Sequence, residues 1–180
     1  MVILSIVAIK EEMVSINKLL FGGIMTENNN REYWDKLNET NPALTKEFNK
    51  FGKTLTTIDP HYQIMKMTEV FGPVGKGWAY DSKYWVSEKV IFAEVTIRWN
   101  INNNWLQYGP ICSCQSLFKK NGSLDDEAPK KAMTDALTKG LSHLGMSADV
   151  FMGKFENSKY VEELKEKYST ANKNNIERIK

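Results

Sequence analysis

At Trp78 the hydrophobic period of this chain changes, and that change limits the available folds more than anything else in it. From Lys89 to Ile101, Ile91, Ala93, Val95, Ile97, Trp99 and Ile101 alternate with Phe92, Glu94, Thr96, Arg98 and Asn100. Such a two-residue period is that of a strand with one face buried and one face wet. Asn102-Asn103-Asn104 follows, and asparagine tolerates the left-handed conformation that a tight hairpin needs. Trp105 to Phe118 then returns as the next strand, and Trp78 to Ser87 supplies an earlier one. Three strands joined by short turns predict an antiparallel meander with one solvated face.

On either side of the meander the period is helical. Ala128, Ala132, Ala136 and Gly140 recur every four residues beside Met133, Leu137, Leu141 and Leu144. This predicts a long helix from about Leu124 to Gly145, whose stripe of small residues lets it approach a sheet or another helix closely. Asp125, Asp126 and Glu127 are expected in its first turn, where carboxylates favour the positive end of the helix dipole. Pro129 is tolerated because it comes so early.

Upstream, Thr40-Asn41-Pro42 reads as a helix start, with Leu44, Phe48 and Phe51 as its apolar stripe up to Gly52. A second helix opens at Asp59-Pro60, carries Ile64, Met67, Val70 and Phe71, and ends in the turn Gly72 to Gly77. Downstream come a short turn at Ser147-Ala148-Asp149, a helix from Lys159 to Tyr168 and a frayed tail over 169–180. The expected fold class is α+β: a three-stranded antiparallel meander on a long helix, with flanking helices. Residues 25–168 form its one domain.

Composition narrows the function classes. The 180 residues hold 24 Lys and Arg against 22 Asp and Glu, so a nucleic-acid binder must concentrate its cations locally. Twenty aromatic residues exclude a wholly disordered chain. Two cysteines cannot form a disulfide framework and point to a reducing compartment. The apolar run Met1 to Ile9 is too short to span a membrane and has no basic segment before it, so neither an anchor nor a secretory signal is expected. Two readings of this segment stand: an amphipathic helix docked on a neighbour, or read-through upstream of a start at Met25, which follows Gly22-Gly23.

Catalytic constellations are sparse. His61 and His143 are the two histidines, and neither accompanies a GxSxG motif. Cys112 and Cys114 share a strand face, with His143 as the nearest third ligand, which falls short of a four-ligand zinc set. They read as buried or half-buried strand cysteines, and no metal or cofactor is expected. Gly72 to Gly77 lacks the GxxxxGK[ST] spacing and reads as a turn that positions Trp78 and leaves Lys76 free to meet a phosphate. Asp125, Asp126 and Glu127 have a structural reason at a helix start, which weighs against a metal-dependent nuclease.

The cations are better placed. Lys119 and Lys120 precede the long helix, Lys130, Lys131 and Lys139 lie along it, Arg98 projects from the wet face, and Lys76 and Lys83 flank the first strand. With Tyr80, Tyr84, Trp85 or Phe92 to stack on bases, they predict a basic groove for single-stranded nucleic acid.

Specific stretches carry a resemblance. Glu69-Val70-Phe71-Gly72, Gly77-Trp78, Ala93-Glu94-Val95-Thr96-Ile97 and above all Asp126 to Leu141, completed by Leu144-Gly145, resemble the Rad-fifty-two family of single-strand DNA annealing proteins and their phage relatives. The resemblance runs from Phe71 to Phe151. It implies a β-β-β-α core assembled into a ring, with single-stranded DNA held in an outer groove on basic residues and its bases exposed for pairing. It implies annealing in homologous recombination and double-strand break repair, with no nucleotide used and no covalent bond broken. It also implies a bacterial cytoplasm, and a single-strand binding protein or exonuclease as partner. Carried over to this chain, Lys139 matches the family's helix, Lys119 and Lys120 match a basic loop loosely, and Tyr62 after His61 replaces a family arginine. Thr138 and Ser142 stand where family members place further cations. The expected DNA-binding set is therefore Lys139, Lys130, Lys131, Arg98, Lys119, Lys120 and Lys76, with Tyr62, Tyr84 and Trp85 among the aromatic groups. A self-assembling scaffold without a DNA role is the alternative. For the start at Met25, peptide mass spectrometry of the native protein should find no peptide from Met1 to Lys18, and detecting one would overturn that reading.

Overall fold

The computed structural model describes residues 30–50 and 52–179, so the expectations for Met1 to Ile24 lie outside the described residues. The fold is α+β. Helix α1 (Glu32–Leu37) leads through a 3₁₀ turn (Pro42–Leu44) into a hairpin of β1 (Thr45–Lys50) and β2 (Lys53–Ile58). Helix α2 (Pro60–Phe71) precedes the meander β3 (Trp78–Ser87), β4 (Val90–Ile101) and β5 (Asn104–Ser116). Helix α3 (Ala128–His143), the short α4 (Ala148–Phe151), a second 3₁₀ turn (Lys154–Glu156) and α5 (Ser158–Ile179) complete it.

The meander forms where the alternation places it, in the order β3-β4-β5 with both pairings antiparallel. Ile91, Ala93, Val95 and Ile97 are buried beneath α3, and Asn102 and Asn103 take φ of 52° and 63° in the turn to β5. One irregularity decides the chemistry of β5. Val95 pairs with Ile111 but Ile97 pairs with Tyr108, so Gly109 and Pro110 together oppose the single Thr96. This bulge reverses the alternation and turns both Ile111 and Tyr108 toward the helix. Gly109 is required there: its φ is 125°, and a Cβ would lie 2.8 Å from the Val95 carbonyl oxygen.

Helix α3 sits on this sheet through the small-residue stripe. Ala128, Ala132 and Ala136 are fully buried and Gly140 is buried with them, and a Cβ at Gly140 would come within 2.7 Å of Ile97 Cδ1. Trp78, Val95, Ile97, Leu137, Leu141 and Met67 gather into one core cluster around it, joined by Leu37 from α1. Trp78 is anchored as well as buried, its Nε1 donating to Thr68 Oγ1 at 3.2 Å.

Three expectations are corrected. The helix expected from Thr40 begins as expected, with Asn41 capping the 3₁₀ turn Pro42–Leu44, but from Thr45 the chain is a hairpin, because Thr45, Thr54, Thr56, Thr57 and Ile58 are β-branched and Gly52 turns the chain at φ 75°. The spacing of Leu44, Phe48 and Phe51 mimics a helix, yet Phe48 is a cross-strand partner of Leu55. Asp125, Asp126 and Glu127 precede α3 instead of filling its first turn; Asp125 Oδ1 accepts from the Glu127 amide at 3.2 Å and makes that entry a turn. The last helix continues to Ile179, past Tyr168, since no Gly or Pro occurs between Ser158 and Lys180 to stop it.

A buried carboxylate ties the later helices to the segment before β1. Asp149, 2% exposed, accepts from the Thr40 amide (2.9 Å), Thr40 Oγ1 (2.6 Å), the Val150 amide (2.8 Å) and the Tyr160 hydroxyl (2.9 Å). Burial, then the hydrogen bond to Asp149, pushes the Tyr160 hydroxyl well above the usual tyrosine range, so it stays a donor. On the other side of the fold, Gly77 passes against the end of α2, where a Cβ would lie 1.8 Å from the Phe71 carbonyl oxygen. Gly77→Ala should therefore cost about 3 kcal/mol or more in urea denaturation, since backbone cannot yield as a side chain can. Gly75→Ala, with open space and φ of 84°, should cost only about 1 kcal/mol.

Candidate nucleic-acid interface

The β5-facing flank of α3 carries Lys131, Asp135, Lys139 and His143 at intervals of four residues, continuing from Glu127 at the helix cap, which stacks them in one row. The sheet reaches this row twice. Ser113 Oγ donates to Asp135 Oδ2, and the Tyr108 hydroxyl meets His143 Nδ1 at 2.7 Å. Lys139 Nζ lies 2.6 Å from Asp135 Oδ2, and Lys131 Nζ lies 2.8 Å from Asp125 Oδ2 and 3.8 Å from Glu127. Lys119 pairs with Asp126 at 3.7 Å and Lys130 with Glu127 at 3.7 Å. Lys119 to Lys139 thus holds five lysines against four carboxylates, and four of these lysines already have an anionic neighbour.

Apart from Lys131–Asp125, these pairs are exposed, which makes them weak and exchangeable, while in the Lys131–Asp125 pair the carboxylate keeps only 14% of its side-chain surface in solvent. A phosphate can take the place of a carboxylate at small cost, but it arrives at a compensated surface. Lys120 and Lys76 are exposed and have no ion pair among the described residues. Lys76 sits at the tip of a loop whose amides serve the loop itself: Gly75 N–H donates to Trp78 O, and Lys76 and Gly77 N–H both donate to Pro73 O. That loop presents a lysine and is no cradle for a phosphate.

The structure divides the expected groove. Arg98 lies on the outer face of the sheet, with the sheet between it and α3, and its Nη2 pairs with Asp81 at 2.8 Å. Trp85 is on the same outer face, stacked on Phe92 with centroids 5.3 Å apart and planes 4° apart. Tyr84, its neighbour in sequence, faces the opposite side of β3 and is half exposed. Consecutive strand residues point to opposite faces, so Tyr84 and Trp85 cannot line one groove. Tyr62 is corrected outright: it is 5% exposed, donates to Glu39 O at 3.0 Å and accepts from the Asn41 amide at 3.3 Å. Burial chiefly raises the pKa of its hydroxyl. It holds the segment before β1 and has no ring face to offer a base.

The two thiols are corrected too. Cys112 and Cys114 share the outer face, as their spacing requires, but both are exposed because α3 covers the other face. His143 lies on the helix side, so it cannot join them, and no three His, Cys, Asp or Glu groups converge among the described residues. No helix among these residues is long and apolar enough to cross a membrane.

One surface was missed. The β1–β2 hairpin exposes Phe48 (44%) beside its partner Leu55 (37%), in a row that begins with Lys46 and Thr57 and ends with Lys50 paired to Lys53. The signal was in the sequence: Lys46, Phe48 and Lys50 alternate, as do Lys53, Leu55 and Thr57, around Phe51-Gly52. A scan of the chain against family models finds no match, and a search of curated proteins finds none either.

The ion pairs set an acid response. The Lys131 hydrogen bond holds the Asp125 carboxyl below its ordinary range. At Asp135, burial pushes upward, but the bonds from Lys139 and Ser113 outweigh it, and the net direction is down. A carboxyl depressed in the folded state adds stability that is complete above its unfolded pKa, about 4, and is lost as pH falls through the folded value. A chain carrying Asp125→Asn and Asp135→Asn should therefore show a shallower fall in urea midpoint from about pH 5 to about pH 2 than its parent. Parallel acid limbs would show that the pairs add nothing.

Proposed function

We propose that this chain binds single-stranded DNA and anneals complementary strands without a nucleotide cofactor, as a ring of identical subunits. The reading is carried by the row of exchangeable cations on the β5-facing flank of α3, set beside the loop that holds Lys119 and Lys120. It is supported by the resemblance of Asp126 to Leu141 to annealing proteins. Two further features accord with it: β3 and β5 are the edges of the three-stranded sheet, and the hairpin exposes Phe48 on the same strand face as Lys46. Open edges at opposite sides of one sheet suit head-to-tail association, which closes into a ring when the rotation permits.

In this mechanism each phosphate displaces a carboxylate from Lys131 or Lys139, and counterions are released from the strand. One nearly neutral subunit contributes little. A ring multiplies the contact along a single strand, so modest sites add up to firm binding. The held strand stays extended and partly neutralised, a second strand tests its register by base pairing, and duplex formation drives the reaction. The protein supplies alignment and charge screening and makes no covalent change.

The test is a low-salt fluorescence titration with mixed-sequence oligonucleotides, followed by an annealing assay with particle mass measured in parallel. Lys131→Ala with Lys139→Ala should weaken binding about tenfold, as expected for the loss of ~1.4 kcal/mol. Arg98→Ala, on the other face of the sheet, should change it less than about twofold. Asp135→Asn, which frees Lys139, should strengthen it by about threefold. Unchanged affinity in the double lysine variant would overturn the site. The pairing of four lysines with carboxylates favours a second reading, a self-assembling scaffold, which predicts large particles that do not bind the oligonucleotide.

A further inference from the structure

Resting on the single-strand reading above, we propose that His143 is a further phosphate-contacting residue, engaged as its imidazolium, so that binding tightens on mild acidification. His143 continues the cation row, one helical turn beyond Lys139 and on the same flank. It is exposed, and its orientation is set. The bulge at Gly109-Pro110 turns Tyr108 toward α3, and the Tyr108 hydroxyl meets Nδ1 at 2.7 Å. With Nδ1 occupied, Nε2 is left as the nitrogen that can donate to an incoming ligand. When the ring is protonated, Nδ1–H donates to the Tyr108 oxygen and Nε2–H is free to donate to a phosphate oxygen.

The charged and titratable neighbours are few. β5 brings Tyr108 against the imidazole, and α3 brings Lys139 one turn before it and Asp135 two turns before it. Lys139 is engaged by Asp135, which in turn accepts from Ser113, so this stretch of the row is electrically balanced. Every other cation in the row already has a carboxylate partner, whereas among the described residues the side-chain partner of His143 is the neutral Tyr108 hydroxyl. A phosphate reaching His143 therefore displaces no anion. Imidazole is also the side chain whose ordinary titration falls between pH 5 and 8, where lysines and carboxylates keep their charge.

The experiment measures anisotropy of a labelled single-stranded oligonucleotide at about 0.1 M salt, at about pH 6 and about pH 7.5. One added phosphate contact changes affinity by about five- to tenfold at that salt. The parent should bind tighter by about that factor at the lower pH. His143→Gln should bring the ratio of the two affinities below about twofold with an unchanged thermal midpoint, and His143→Lys should bind tightly at both pH values. His61→Gln, on the start of α2 beside Asp59 at 3.6 Å, should leave the parent ratio intact. An equal ratio in parent and His143→Gln, or a parent with no pH response, would overturn this proposal and leave the single-strand reading standing. No binding at either pH would overturn both.

Discussion

The close seating of α3 on β4 is the contact on which the rest of the structure depends. Four small residues spaced by four let the helix backbone come down to the sheet, and at Gly140 even one added carbon would press on Ile97. That seating determines what the flanks can reach. Asp135 meets Ser113 and His143 meets Tyr108 because the helix lies low enough for short side chains to bridge to β5. A larger residue in the stripe would lift the helix and break both bridges. The same seating brings Leu137 and Leu141 onto Trp78, Val95 and Met67, so the core and the candidate interface share one geometric cause.

Charge on this protein is local and balanced. The lysines along α3 are not a bare positive stripe, because Asp125, Asp126, Glu127 and Asp135 interleave with them. In water such exposed pairs gain little and exchange readily. As proposed above, a single strand draws on that exchange, because it brings many phosphates in sequence. The outer face of the sheet is balanced as well, with Arg98 on Asp81 and Lys83 on Glu94. An aromatic stack and two exposed thiols complete that face, which is chemically unlike the α3 flank.

Much of the fold was legible because burial imposes a period on residues. The alternation from Ile91 to Ile101, the asparagine turn, the capped start of α2 at Asp59 and the small-residue stripe of α3 all follow from local rules. The β1–β2 hairpin was misread because three apolar residues fell at helical spacing by coincidence, while threonines carried the true preference. The bulge in β5 was invisible to an argument from alternation, since one extra residue inverts every side chain beyond it. The candidate site was legible as a list of cations and illegible as a place. Arg98, Trp85 and Tyr62 were good residue types for the chemistry, and their faces or burial removed them from the α3 flank.

By itself the sequence determined the order of elements from α2 onward, the half-buried sheet and the helix that seals it, because periodicity and turn chemistry are local properties. It also determined that a basic surface requires local concentration of cations, because cations and carboxylates are nearly equal in number. Tertiary structure alone decided which cations share a flank, which are neutralised, and that His143 ends the row with Tyr108 orienting it. Those outcomes depend on the faces of separate elements and on how closely they pack, and no single stretch of chain encodes either.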